Sequence, residues 1–65
     1  MMNFKKFTDD EGSLFIDIRE IAYFYEASDK EQIERGVNTT LCFKNGNCLS
    51  VKEKMTYLIE IMKWI

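Results

Sequence analysis

The chain reads as an α+β domain, an antiparallel sheet of three to four strands followed by one C-terminal amphipathic helix packed on one face. Three observations predict it. Val37, Thr39, Leu41 and Phe43 alternate with Asn38, Thr40, Cys42 and Lys44, the period-2 pattern of a strand. Asn45-Gly46 then supplies the positive-φ residues of a tight hairpin turn. Beyond it, Ser50-Val51-Lys52-Glu53 has the form of a capping box, and the apolar residues that follow recur at helical spacing.

Taken in order, residues 1–13 form a polar N-terminal arm whose large apolar anchors are Phe4 and Phe7. Thr8-Asp9-Asp10-Glu11-Gly12 reads as a turn. The sheet is expected to occupy residues 14–51, with strands at 14–18, 21–27, 37–44 and 48–51. Ile18-Arg19-Glu20-Ile21 marks a bend between the first two. In the second strand Ile21, Tyr23 and Tyr25 share one face, and Ala22, Phe24 and Glu26 share the other. Of the nine residues from Ser28 to Gly36, five are charged. They read as a solvated hairpin loop, with a short helical turn from Ser28 as the alternative. In the hairpin, Leu41 and Phe43 are expected to point one way, and Cys42 with Leu49 or Val51 the other.

The helix is placed at residues 51–65. At about 100° per residue, Met55, Leu58, Ile59, Met62 and Ile65 make one stripe, and Tyr57, Ile61 and Trp64 widen it. The apolar arc comes to roughly 200°, twice the stripe that suffices for a helix lying on a sheet. Either Phe4 and Phe7 fold over the second stripe, or a second subunit covers it. A two-fold homodimer using the helix or the outer sheet face is expected.

Sixty-five residues accommodate one domain. So short a chain buries only about 60% of the surface it exposes when unfolded, and oligomerisation is a natural staple. With 46% hydrophobic residues and no proline, the composition is that of a folded chain. Net charge is −2 and the basic residues are scattered, which speaks against a nucleic-acid face. Met1 to Asp10 has no apolar run of signal-peptide length and nothing approaches a membrane span. A cytoplasmic location is therefore expected, in the producing cell or in a host cell. In a simple two-residue hairpin Phe43 faces Cys48, so Cys42 and Cys48 lie on opposite faces as two free thiols. A bulge at Gly46 would change that register.

There is no histidine, so a His-based triad or general base is excluded. The glycines stand alone at turns, two thiols fall short of a structural zinc set, and Asp9-Asp10-Glu11 lacks the spacing of a calcium loop. No enzyme activity, cofactor or metal is expected. The candidate interface residues are Tyr57, Ile61 and Trp64 on the helix and Tyr23, Phe24 and Tyr25 on the second strand, since Tyr and Trp are enriched at contact hot spots. Core packing is the competing reading for them. A small nucleotide-like ligand stacked on these rings is a further alternative, with Arg19, Arg35 or Lys44 reaching a phosphate. The function expected is that of a small non-catalytic accessory or regulatory protein that associates with itself and with a partner protein.

The run Thr40-Leu41-Cys42-Phe43-Lys44-Asn45-Gly46-Asn47-Cys48-Leu49-Ser50-Val51-Lys52-Glu53, followed by Leu58-Ile59, resembles the small flagellar and swarming-motility proteins of the FlbD/SwrD type. Those pair a strand ending in Asn-Gly with a Val-Lys-Glu helix start, and Ile18-Arg19-Glu20-Ile21 echoes their second strand. The resemblance covers about the C-terminal half and implies an accessory role. The chain also resembles compact strand-strand-helix products of phages and other mobile elements. That likeness implies an inhibitor of a host system or a sequesterer of a signalling molecule.

Overall fold

Phe4-Lys5-Lys6-Phe7-Thr8-Asp9 is a strand rather than an arm. It pairs antiparallel with the following segment, Phe7 opposite Leu14 and Lys5 opposite Ile16. The computed structural model describes residues 3–63. Along them run β1 (Phe4–Asp9), β2 (Gly12–Asp17), a 3-10 turn (Ile18–Glu20), β3 (Ile21–Glu26), α1 (Lys30–Glu34), β4 (Thr39–Phe43), β5 (Cys48–Val51) and α2 (Met55–Met62). The α+β class stands, but the described strands form two antiparallel sheets, β1-β2 and β3-β4-β5, instead of one. Their inner faces and α2 enclose a core of Phe7, Ile16, Ile18, Ile21, Leu41, Val51, Leu58 and Ile61.

Two single-residue irregularities set which side chains face inward. In β3, Ile21 pairs with Phe43 and Tyr23 with Cys42, so Ala22 is an extra, bulged residue. The bulge shifts the alternation. Ile21 and Phe24 turn to the core, whereas Tyr23 and Tyr25 turn to solvent, and the expected grouping of Ile21 with the two tyrosines does not form. In the β4–β5 hairpin the loop holds three residues, Lys44 to Gly46, closed by Phe43 N–H to Asn47 C=O (2.8 Å). Gly46 takes φ +95°, a conformation costly for any residue with a Cβ. That third loop residue moves the register by one from the two-residue hairpin. Leu41 now faces Leu49, and Cys42 faces Cys48. The two thiols expected to be free and on opposite faces are joined in a disulfide, their Cα atoms 4.1 Å apart.

The capping box also fails to form. Ser50 and Val51 stay in β5, and the Glu53 carboxylate is drawn to β1: Thr8 N–H donates to Oε1 (2.8 Å) and Thr8 Oγ1–H to Oε2 (3.0 Å). Lys52 N–H donates to Thr8 C=O (2.8 Å), and Thr39 Oγ1–H to Glu53 C=O (2.8 Å). The helix therefore starts at Met55, after Lys54, which makes no side-chain cap. The segment expected as a loop carries α1 instead. Asp29 Oδ1 accepts from Glu31 N–H (3.0 Å), a side-chain cap strong enough to start five helical residues with little apolar support.

Two stability predictions follow from these contacts. The disulfide spans a sequence separation of 6. Its loss through Cys42→Ser/Cys48→Ser should cost about 2 kcal/mol, a fall in Tm of about 10 °C. Calorimetry of the oxidised and reduced wild type checks it, and equal melting temperatures would refute it. Glu53→Ala should cost about 2–3 kcal/mol, since it leaves Thr8 without a charged acceptor, and Glu53→Gln about half as much. Urea unfolding of the two variants measures both.

Candidate interaction surface

The outer face of the three-stranded sheet is built by register. Tyr23 lies beside Cys42, which lies beside Cys48; Tyr25 lies beside Thr40, which lies beside Ser50. The first row is closed by the disulfide and the second by Thr40 Oγ1 and Ser50 Oγ, 3.3 Å apart. Along the middle strand Thr40 and Cys42 are buried, whereas Tyr23 and Tyr25 are 59% and 48% exposed. Their rings lie nearly parallel, 20° apart in plane and 6.4 Å between centroids. Residues i and i+2 of a strand share a face, so the stack follows from the spacing once the bulge has set the phase.

Beside this face runs an open edge. Ala27 N–H donates to Asn38 C=O (3.0 Å), which fixes the ladder phase. Tyr23 and Tyr25 therefore bond to β4, and Phe24 and Glu26 turn their N–H and C=O groups away from it. Among the described residues β4 is the one strand that pairs with β3.

The helix residues expected at an interface are engaged within the chain. Ile61 is a core residue. Tyr57 packs edge-on against Phe7 (centroids 5.5 Å, 76°), and its hydroxyl donates to Lys6 C=O (2.9 Å). Phe7 thus covers the second stripe, and Phe4 stays half-exposed. Trp64 lies outside the described residues. Phe24 is half-buried against the core. The candidate cations do not converge on the tyrosines. Arg19 sits 3.5 Å from Asp17, and Lys44 adjoins it in the fold, its N–H bonded to Glu20 C=O. Arg35 lies beyond the other end of β3, 3.9 Å from Asp10.

Sequence reasoning missed one exposed ring, Phe15, 68% exposed opposite Lys6. The signal was available, because in Leu14-Phe15-Ile16 any strand must turn one apolar residue outward. The acidic turn is used internally: Asp9 Oδ1 accepts from the N–H groups of Glu11 (2.8 Å) and Gly12 (3.1 Å). Among the described residues no group of three or more His, Cys, Asp or Glu is arranged to hold a metal, and no helix is long and apolar enough to cross a membrane.

Burial, with a smaller contribution from the Glu53 charge, raises the Tyr57 phenol above its ordinary 10.0. The unfolded chain ionises this group first, so stability is intact below pH 10 and falls as pH rises beyond it. Tyr57→Phe should remove that alkaline loss while costing about 1 kcal/mol near neutrality. Urea midpoints measured across pH 7–11 for both chains test it, and parallel pH curves would refute it. Family models, curated proteins and solved structures give no match to this chain.

Proposed function

We propose that this protein is a non-catalytic accessory module that works by associating, with a second copy and with a partner protein, through the outer face of the β3-β4-β5 sheet. The carrying observation is the exposed, stacked Tyr23–Tyr25 pair beside an unpaired strand edge. Tyrosine contributes a large, stiff contact area and a hydroxyl, the combination enriched in contact hot spots. Tyr57 and Ile61 are engaged inside the chain, which turns the proposal from those helix residues to the sheet. In a cytoplasm the Cys42–Cys48 pair would be held as a dithiol, and in an oxidising setting as the disulfide.

The second reading is a small planar, nucleotide-like ligand. The near-parallel Tyr23 and Tyr25 rings favour it. The placement of Arg19 and Lys44 at one end of β3 and Arg35 at the other argues against it, because none of these three cations converges on the rings.

Sedimentation velocity over a hundredfold concentration range tests the main reading. The wild type should shift towards a dimer, and Tyr23→Ala/Tyr25→Ala should stay monomeric. A wild type that sediments as a monomer throughout would sink self-association. A bound mass of a few hundred daltons released on denaturation would instead promote the ligand.

A further inference from the structure

We infer that two copies of this chain pair antiparallel along β3 about a two-fold axis at Phe24, joining their three-stranded sheets into one of six. The inference rests on the reading above, that the tyrosine face acts by association.

Natural sheets blunt their edges with proline, lysine, bulges or a covering element. From Tyr23 to Tyr25 the β3 edge has none of these; the Ala22 bulge guards its start and the charged Glu26 its end. The ladder phase leaves the N–H and C=O groups of Phe24 and Glu26 directed outward. A two-fold at Phe24 uses that residue's pair. Phe24 exchanges both bonds with its symmetry mate.

Side chains select this register over its neighbours. With the axis at Phe24, each Tyr23 stands opposite the other copy's Tyr25, in the closer, non-hydrogen-bonded type of pair. The two stacks become a two-by-two block of four rings, and the half-buried Phe24 side chains meet on the inner face. Aromatic pairs are among the strongest cross-strand contacts. Glu26 faces Ala22, so no like charges are opposed. An axis at Tyr23 would instead bring Glu20 against Glu26, and one at Tyr25 would set Tyr23 against Ala27. The occupant is therefore a second copy, because this sequence is complementary to itself in one register.

Charge swaps at the two exposed positions test both occupant and register without touching the core. In Tyr23→Lys/Tyr25→Glu each lysine faces the other copy's glutamate; in Tyr23→Lys/Tyr25→Lys like charges face. At low ionic strength the first variant should dimerise about tenfold or more tightly than the second, and added salt should narrow the gap. Circular dichroism checks that both fold. Equal loss of dimer in the two variants, with a wild-type dimer that Tyr23→Ala/Tyr25→Ala abolishes, would overturn the edge pairing and leave association through the tyrosine face intact. A wild type monomeric at every concentration would overturn both.

Discussion

The polar joint between the two sheets centres on one carboxylate. The β1-β2 hairpin and the β3-β4-β5 sheet share no continuous ladder, and they meet where Glu53 receives both polar hydrogens of Thr8. The neighbouring backbone bond from Lys52 to Thr8 and the Thr39 hydroxyl on the Glu53 carbonyl complete the joint. Because a charged acceptor makes the stronger hydrogen bond, this junction can hold a two-stranded hairpin, marginal by itself, to the three-stranded sheet. It also dictates where the helix begins. A Glu53 turned back to cap residue 50 would have left the Thr8 N–H and hydroxyl without their carboxylate acceptor.

The surface follows from equally small causes. One extra residue at Ala22 and one at Gly46 each move a register by a single step, and a single step exchanges the faces of everything downstream. The first turns the tyrosines outward together; the second brings the cysteines face to face. The exposed tyrosine face is thus a product of backbone irregularity as much as of residue choice.

This also explains what could be read beforehand. The β4 and β5 strands, the Asn-Gly turn and the amphipathic helix were legible because each is a local pattern of propensity and period. The partition into two sheets was not, since it rests on Glu53 meeting a residue 45 positions away. The same local rule that correctly located a helix near residue 51 misplaced its start, because Glu53 had a long-range partner to prefer. Lys5-Lys6 disguised β1, whose inward residue at that point is the aliphatic stem of Lys5 opposite Ile16. Of the candidate interface residues, Tyr23 and Tyr25 were picked out by residue type and are exposed. Tyr57 and Ile61 were picked out by the same criterion, and the core took them.

The covalent link across β4 and β5 gives the sheet an unequal mechanical character. β4 and β5 are locked to one another by a bond that does not yield to thermal fluctuation, and β5 runs directly into the joint with β1. β3 is held to this rigid block by a single ladder interrupted at Ala22. A load applied along the exposed tyrosines therefore concentrates on the β3–β4 seam, so the strand that displays the two rings is also the compliant one, able to adjust its twist while the block behind it keeps its shape.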